Sequence, residues 1–371
     1  MHLAVAISSH GYGHGAQTAA VLTALRAQCP RLRLTLLTGL PPRFLHDRIP
    51  GDFDLVDWRG DFGMHMNTAL EVDLARSAAA YAAFHAAWDS RLAETSALLE
   101  HLAPDLLLAN VPYLALAAAA RIGLPSVALC SLNWALVYRH YFSGRPEAPD
   151  ILACMESAYS SAEIFLCPAP SMPMPELDNV RAIGPLARLG KNCRGLLVDR
   201  LGVAPDQRIV VIAPGGIPLH LSMREWPVMP GITWVVPAAW DCTGADIRSF
   251  ESLGMLFTDL LASVDAVVGK LGYGTVAECA CNGTPLLYMP RLDWPEEGVL
   301  AEWLAVHGRC APVAVEDVER GALATALEAL WARPTPPRPR PSGADQAAQL
   351  LARRLEGPEA PAETGQDQRR R

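Results

Sequence analysis

The sequence contains no long apolar run, no secretory signal and no paired cysteine motif. No apolar stretch reaches the ~18–20 residues of a membrane-spanning helix. The N-terminal MHLAVAISSHG lacks the basic region and the cleavage site of a signal peptide. The nine cysteines include no CxxC pair, and zinc sites are commonly built from such pairs. We therefore expect a cytoplasmic protein with reduced thiols, no transmembrane segment and no metal.

Charged residues are few, at 19% of the 371 residues, and the formal net charge is −8. A nucleic-acid-binding domain is expected to carry a basic face, and the terminal run Arg369–Arg371 is too short to form one. We therefore expect no nucleic-acid partner. Residues far apart in sequence can still build a lipid-binding patch, so contact with a membrane surface stays open.

Hydrophobic residues make up 51% of the chain, and they alternate between two patterns. Short apolar runs such as HLAVAIS, DLLLANV and PSVALCS predict buried parallel strands, whereas AQTAAVLTALRAQ and SRLAETSALLEHLAP predict helices. The alternation breaks at MPELDNVRAIGPLARLGKNCRG, which predicts a linker, and resumes at RIVVIAPGG. Each half is therefore predicted to be a doubly wound α/β unit.

This alternation predicts two Rossmann-like domains, one at residues 1–185 and a second at residues 186–332. A Pro-rich link follows at 333–342, then a helix at 343–356 and a disordered tail at 357–371. Open α/β sheets bind ligands at the carboxyl ends of their strands. Two such domains in tandem therefore place a binding cleft between them.

The stretch KLGYGTVAE combines a strand end, a glycine turn and a helix start. Gly272 and Gly274 follow the strand DAVVGK, and a helix is predicted to open near Thr275. Free N–H groups at a helix N-terminus bind phosphate, and glycine lets the phosphate approach the backbone. Thr275 is predicted to cap the helix and to donate to a phosphate oxygen. The alternative is a plain turn before a helix.

Three carboxylates follow this turn. Glu278 lies about one helical turn inside the helix, where it could accept hydrogen bonds from a vicinal diol such as a ribose. Glu296 and Glu297 come after the next strand, in RLDWPEEG, so both are predicted to face the cleft and to suit sugar hydroxyls. A helical Glu is usually solvated, but the ordered set on one α/β unit favours a binding site.

GYGTVAECACNGTPLLYMP followed by EE resembles the donor-binding signature of GT-B glycosyltransferases. The similar families are the UDP-sugar class and the N-acetylglucosaminyltransferase that completes lipid II. The closest similarity is to the glycosyltransferase-like amino-terminal region of plant L-arabinokinases. The resemblance implies the GT-B fold, two Rossmann-like domains around a central cleft. It also implies a hexosyl- or N-acetylhexosaminyltransferase with a UDP-sugar donor, an unidentified acceptor, and no cofactor or metal.

The resemblance also implies a role for each residue of this signature. Glu278 would bind the ribose, Glu296 and Glu297 the sugar, and Gly272, Gly274 and Thr275 the diphosphate.

Some positions depart from the pattern or fit it loosely. The plant-type signature has Asp-Gln where Glu296 and Glu297 stand, which leaves the donor sugar open. Lys270 replaces a His or Arg of related signatures and either neutralises the diphosphate or caps a strand. Gly215 and Gly216 match a glycine loop that touches the donor phosphates, or they form a plain turn.

A second glycine-rich motif, SSHGYGHGAQ, is predicted to face the donor site from the other domain. GYGHG resembles family loops that end in His, which implies that His14 is the base for the acceptor hydroxyl, with inversion at the anomeric carbon. His10 is the weaker candidate and either supports His14, contacts substrate or ends a strand. Gly13 is placed on the acceptor side. Asn133 and Trp134, in SLNW, either hold a sugar ring or serve packing.

Two other classes of function stay open. A GT-B epimerase acts on the nucleotide sugar itself, with carboxylates and histidines around the donor. A non-catalytic nucleotide-sugar-binding protein is the other class, because the arabinokinase region is fused to a kinase domain that this sequence does not contain. The DFD at residues 52–54 superficially resembles a metal-binding DxD motif but is predicted to lie away from the cleft.

Overall fold

The computed structural model describes residues 1–68, 70–213, 223, 226–240, 244, 246–291 and 293–356. Within these residues the chain forms two parallel sheets, of seven and six strands, one after the other along the sequence. Within the described residues, α-helices connect most successive strands of the first sheet. In the second sheet, helices also precede the fourth strand and lie between the fourth, fifth and sixth strands in chain order. The doubly wound α/β fold predicted from the sequence is therefore confirmed.

The first half of the chain forms the seven-stranded sheet. Its strand order is 3-2-1-4-5-6-7 in chain numbering, and every pairing is parallel. The order reverses between the first and fourth strands, which opens a crevice at their carboxyl ends. The elements are β1 (His2–Ile7), α1 (Gly13–Gln28), β2 (Arg33–Thr38), α2 (Pro42–Arg48), β3 (Asp54–Asp57), α3 (Leu74–Ala86), α4 (Trp88–Leu102), β4 (Leu106–Asn110), α5 (Tyr113–Arg121), β5 (Ser126–Leu129), α6 (Trp134–Phe142), α7 (Ala148–Ser160), β6 (Ile164–Pro168) and β7 (Val180–Ile183).

The second half forms the six-stranded sheet, whose pairings are also all parallel. Its elements are α8 (Arg194–Leu201), β8 (Arg208–Ala213), β9 (Ile232–Val236), β10 (Ile247–Ser249), α9 (Phe257–Ser263), β11 (Ala266–Lys270), α10 (Tyr273–Asn282), β12 (Leu286–Met289), α11 (Glu297–His307), β13 (Cys310–Pro312), α12 (Val315–Glu319), α13 (Ala324–Ala332) and α14 (Gly343–Glu356). The strand order is β10-β9-β8-β11-β12-β13, so a second crevice opens between β8 and β11.

The central strands are apolar on both faces because helices cover both sides of each sheet. All six residues of β1 and all five of β4 are buried. Leu3 of β1 lies in register with Leu34 of β2 and with Leu106 of β4. A continuous apolar run, rather than an alternating one, is therefore the correct signal for these strands.

The stretch predicted as a linker between the halves contains β7, so the linker prediction is wrong there. β7 pairs with β6, with Phe165 opposite Val180, and three of its four residues are exposed. An edge strand with one buried side carries too few apolar residues to be recognised from its pattern. The predicted domain boundary, between residues 185 and 186, follows this strand and stays a prediction.

The C-terminal helix α14 returns to the N-terminal half and packs on α1. At its start the backbone N–H of Gly343 donates to the carbonyl of Pro185 at 3.2 Å. A Cβ on Gly343 would lie 2.0 Å from the carbonyl oxygen of Gly184, so only glycine fits this close approach. Farther along, Arg354 pairs with Glu163 at 2.6 Å. The last described helix is therefore anchored to the first domain.

Two findings bear on the predicted environment. Among the described residues, no helix is long and apolar enough to cross a membrane. The eight cysteines within the described residues are all unpaired.

Truncating a buried side chain of α14 should destabilise the protein. Leu351 is fully buried in the core between α14 and α1, so Leu351→Ala should lower the free energy of unfolding by about 2–5 kcal/mol. The exposed Gln349 lies on the same helix, and Gln349→Ala should change that free energy by less than about 0.5 kcal/mol. Urea unfolding measures both, and equal effects would contradict the packing of α14.

Candidate functional site

A cavity of about 560 Å³ lies where the carboxyl edges of the two sheets meet. The N-terminal half lines it with most of residues 10–17 and with part of the loop after β5. The C-terminal half lines it with the ends of β8, β9 and β11, the first turn of α10, and residues between β12 and α11. Its volume is typical of small-molecule sites, and it occupies the cleft that the sequence predicts.

The N-terminus of α10 opens onto this cavity through Gly272, Gly274 and Thr275. Gly272 is the cap residue, and no side chain caps the helix. Thr275 therefore lies inside the helix, and its predicted capping role is wrong, because the helix begins two residues earlier than expected. The first backbone N–H groups of α10 stay available to an anion.

Three glycines of the two motifs face open space. A Cβ built on Gly13, Gly272 or Gly274 meets no atom within 4 Å. Gly272 has φ −139° and ψ 148°, an extended conformation that any residue adopts. Neither packing nor backbone conformation requires glycine at these positions. This favours the interpretation that the space is kept for a ligand.

Glu278 lines the cavity about one turn inside α10. Burial raises the pKa of its carboxyl to about 7, against the opposing effect of Arg48 and Arg188. Arg48 ends α2 and also lines the cavity, so a cation of the N-terminal half lies within electrostatic reach of Glu278. With this pKa, the carboxyl in the cavity wall can accept a hydrogen bond when it is ionised and donate one when it is protonated.

The two carboxylates of the EE pair lie in different places. Glu296 is buried and lines the cavity, where its Oε1 accepts a hydrogen bond from Ser131 at 2.6 Å and its Oε2 from the indole of Trp294 at 3.4 Å. Glu297 is half-buried, does not line the cavity, and accepts a hydrogen bond from the backbone N–H of Arg291. The prediction that both residues face the cleft is therefore wrong for Glu297, because α11 begins there and turns that side chain away.

His14 lies in the first turn of α1 and not in a loop. Its Nδ1 is 3.0 Å from Oδ1 of Asn110, whose amide nitrogen donates to the His14 carbonyl and to Gln17. Because both donors of that amide are engaged, the oxygen faces the ring, and Nδ1 must carry the proton. The Nε2 lone pair is therefore free. Burial lowers the pKa of His14 to about 4, so the ring is neutral at pH 7.

His10 has the opposite arrangement. Its Nδ1 accepts the backbone N–H of Met64 at 3.4 Å, which leaves the proton on Nε2. Its ring stacks on Trp294 with centroids 6.0 Å apart and meets the edge of Trp134 at 5.3 Å. Burial, followed by the charges of neighbouring groups, lowers its pKa to about 3. His10 is thus a neutral hydrogen-bond donor, whereas His14 is a neutral acceptor.

Of the two SLNW candidates, Asn133 caps a helix, and Trp134 lines the cavity as a fully buried side chain rather than as an open sugar platform. Asn133 does not line the cavity; its side chain caps α6 by accepting the N–H of Leu136 at 2.9 Å. Trp134 is fully buried, and its indole donates to Asp61 at 2.6 Å. The Trp134 ring contacts both His10 and His14, so it holds the two imidazoles in place.

Several residues at the site had no role in the sequence analysis. Asn110 ends β4 and orients His14, and its position at a strand end was the signal that could have found it. Asp61 accepts hydrogen bonds from Ser8 and Trp134, and burial raises its pKa to about 6. Asp61 lies in an irregular segment far along the chain from His10, so no local pattern indicates its place.

Two further predictions concern Gly215 and Gly216 and the DFD motif. Gly215 and Gly216 lie outside the described residues, so their predicted phosphate contact stays a prediction. In the DFD motif, Asp54 begins the edge strand β3 and pairs with Arg33 at 3.1 Å on the surface. Within the described parts of the chain, no group of three His, Cys, Asp or Glu side chains could hold a metal ion.

Two curated proteins are similar to the chain in sequence, although no family model matches it. L-arabinokinase of Arabidopsis thaliana is 24% identical over 305 residues, which cover 81% of this chain and 29% of that protein. A Methanopyrus kandleri protein, named as an uncharacterized glycosyltransferase, is 29% identical over 164 residues, or 43% of this chain and 45% of its own length. The matches thus span less than half of either relative.

Solved structures of the same fold cover nearly the whole chain. The glycotransferase of kitacinnamycin aligns with a TM-score of 0.60 at 16% identity and covers 96% of this chain and 94% of its own. The calicheamicin glycosyltransferase CalG4 gives 0.57 at 15%, covering 96% and 94%. A UDP-N-acetylglucosamine 2-epimerase gives 0.53 at 14%, covering 95% of each chain. The chain has the GT-B fold, as its resemblance to GT-B glycosyltransferases implied.

Adding a methyl group at Gly274 should weaken anion binding without lowering the stability of the protein. Gly274→Ala should leave the free energy of unfolding unchanged or raise it by up to about 1 kcal/mol, because alanine favours helix. The new Cβ would stand before the free N–H groups and weaken the binding of inorganic pyrophosphate about tenfold or more. Urea unfolding and titration calorimetry measure the two effects.

The matched control is Gly298→Ala on α11, a helical glycine that also has open space around it but lies outside the cavity. It should show the stability effect without the loss of binding. Unchanged pyrophosphate affinity in Gly274→Ala would remove the α10 N-terminus from the site.

Proposed function

We propose that the protein is a glycosyltransferase that moves a sugar from a nucleotide-diphosphate donor, of the UDP type, to an acceptor hydroxyl. The transfer inverts the anomeric carbon, with His14 as general base. The observation that carries the proposal is the meeting, across one cavity, of an uncapped helix N-terminus and an imidazole with a free lone pair. A cytoplasmic location is part of the proposal, since the eight described cysteines are unpaired.

The hydrogen bonds of the two histidines support different roles for them. A histidine that acts as general base needs a free lone pair and a hydrogen-bond partner that fixes its ring. For His14, Asn110 is the partner that fixes the ring. His10 offers an N–H toward the cavity instead, which suits a donor to a substrate oxygen. The sequence left open which histidine is the base. These hydrogen bonds support His14 rather than His10 in that role.

The displacement then has a defined balance of bonds and charge. The acceptor oxygen bonds to the anomeric carbon as its proton passes to Nε2 of His14. The bond from that carbon to the β-phosphate oxygen breaks, and its electron pair leaves with the nucleoside diphosphate. The transition state resembles an oxocarbenium ion, so the leaving charge must be stabilised. The α10 N-terminus and Lys270 line the cavity and would stabilise this leaving charge. Glu278 is our candidate for binding the ribose of the donor.

Two alternatives each have an observation in their favour. An epimerase acting on the nucleotide sugar is supported by the epimerase among the similar folds and by two buried carboxyls, Glu278 and Glu296, at the cavity. A non-catalytic nucleotide-sugar-binding protein is supported by the similarity to only part of the longer L-arabinokinase.

Incubation with radiolabelled UDP-sugars tests the proposal against both alternatives. A transferase should slowly hydrolyse its donor to UDP and free sugar, because water replaces the missing acceptor. A new UDP-sugar would identify an epimerase, and intact bound donor a binding protein. If no nucleotide or nucleotide sugar binds, the proposed function is wrong.

Substitution of the base gives the corresponding test on the residue. His14→Ala should lower the hydrolysis rate by about 10²–10⁴-fold at unchanged donor affinity, because proton transfer is lost and the donor contacts remain. His10→Ala is the matched control and should lower the rate less, since it removes a hydrogen-bond donor only. A larger loss in His10→Ala than in His14→Ala would reverse the assignment.

The value of kcat/KM should fall at both acid and alkaline pH, because it depends on one titrating group from each half of the chain. His14 must be neutral to accept a proton, and because burial lowers its pKa to about 4, kcat/KM should fall only as the pH drops through about 4. Burial and the charge of Arg291 lower the pKa of Lys270 to about 8, so kcat/KM should also fall as this cation is lost above about pH 8.

Initial rates of donor hydrolysis across this range measure the profile. Lys270→Arg should remove the alkaline limb, because a guanidinium stays charged. An acid limb at 6.5, the ordinary value for histidine, would argue against a buried His14 as the base.

A further inference from the structure

Arg291 is a buried cation in the cavity wall that forms no ion pair with a carboxylate of the described residues. Only 6% of its surface is exposed, and its Nε has no hydrogen-bond partner. Its guanidinium lies over the ring of Trp294, 4.2 Å from the centroid. Among the described residues, no carboxylate comes within ion-pair distance of it. Burying an unpaired charge is costly, so a ligand that supplies the missing anion would account for its position.

Lys270 is a second cation of the same cavity, half-buried and also without an ion pair to any described carboxylate. It ends β11 in register with Met289, the last residue of β12, and Arg291 follows Met289 by two residues. The two cations therefore stand at the carboxyl ends of adjacent strands. Their repulsion contributes, after burial, to the lowered pKa of Lys270, which shows that each lies in the field of the other.

The nearby carboxylates do not neutralise this pair by direct contact. Both oxygens of Glu296 are engaged, by Ser131 and by Trp294. Glu297 accepts the backbone N–H of Arg291 rather than pairing with the guanidinium. Around Arg291 and Lys270, the two cations and the positive end of α10 stand against the carboxylate of Glu296, a local excess of about one to two positive charges before ligand binds. Arg48, Glu251 and Glu278 line the cavity as well and are not part of this local count. A donor diphosphate supplies about that amount of negative charge.

We propose that Arg291 and Lys270 form a two-cation site for the donor diphosphate, in which Arg291 stabilises the charge that develops as the nucleoside diphosphate leaves. This inference rests on the proposed function and adds Arg291 to the residues predicted for it. The planar guanidinium can hold two phosphate oxygens at once, while Lys270 acts as a point charge beside the α10 N–H groups. Trp294 keeps the guanidinium in place by stacking.

A carboxylate on the donor sugar has the same oxyanion chemistry and is the competing source of the charge. The diphosphate is favoured because Lys270 and the α10 N-terminus, two other groups suited to phosphate, line the same wall. The two sources are separated by ligands that carry one anionic group without the other. Inorganic pyrophosphate and UDP have the diphosphate alone, uridine has neither group, and UDP-glucuronate has both.

Titration calorimetry with these ligands tests the proposal on Arg291→Gln. Pyrophosphate and UDP should bind at least about tenfold more weakly than to the unmodified protein, and uridine equally well. UDP-glucose and UDP-glucuronate should lose affinity by the same factor. Arg291→Lys should recover part of the loss, because it restores the charge without the fork. Lys270→Gln, which changes a different strand, should weaken pyrophosphate binding independently.

The matched control is Arg208→Gln. Arg208 also stacks on a tryptophan, with its guanidinium carbon 4.9 Å from the Trp331 centroid, but it pairs with Asp265 away from the cavity. This variant should bind pyrophosphate as the unmodified protein does. Thermal unfolding of each variant establishes that it is folded.

Four outcomes overturn the proposal, the proposed function or both. Unchanged affinity of Arg291→Gln for pyrophosphate and UDP refutes it. A loss confined to UDP-glucuronate assigns Arg291 to a sugar carboxylate instead. If the unmodified protein binds pyrophosphate through Arg291 but no nucleotide, the cation pair stands and the nucleotide-sugar function fails. If it binds neither pyrophosphate nor any nucleotide, both are wrong.

Discussion

Every strand of each sheet runs parallel to its neighbours, so all strands of one sheet deliver their carboxyl ends to the same edge. The rest of the structure depends on this constraint. The loops after β1 and β5 meet the loops after β11 and β12 in one cavity because each sheet has its order reversal there. The hydrogen bond from Ser131 to Glu296 joins the two edges directly. The C-terminal helix α14 packs on α1, and this contact links the two halves of the chain at a second place.

Burial at this meeting point also decides which groups are charged. Desolvation holds both His10 and His14 neutral at pH 7, and hydrogen bonding then makes one a donor and the other an acceptor. The same desolvation lowers the pKa of Lys270 and of Arg291, neither of which forms an ion pair with a described carboxylate. In a cavity with little water, charges interact more strongly with a ligand than they would at the surface. One physical effect therefore shapes both the proton-transfer side and the anion side of the proposed site.

Much of the fold and part of the site could be predicted from the sequence. Continuous apolar runs mark β1 and β4 because both faces of a parallel sheet are covered, whereas the exposed edge strand β7 carries no such signal. The glycine turn before α10 is recognisable because strand, turn and helix are contiguous in sequence. Errors occur where a helix start differs by one or two residues, as for Thr275 and Glu297, since that shift rotates a side chain out of its expected position. Asn133 illustrates the same limit, as a helix cap rather than a ligand contact.

The sequence by itself determined the two α/β halves, the GT-B resemblance and the two glycine motifs, because these features depend on local periodicity and on residues close together in the chain. The tertiary structure decided which histidine has a free lone pair, which carboxylate of the EE pair faces the cavity, and that Arg291 is buried without an ion pair to a described carboxylate. Each of these depends on partners far away in sequence: Asn110 for His14, Ser131 for Glu296. Hydrogen-bond direction and burial are properties of the assembled site, and no pattern along the chain encodes them locally.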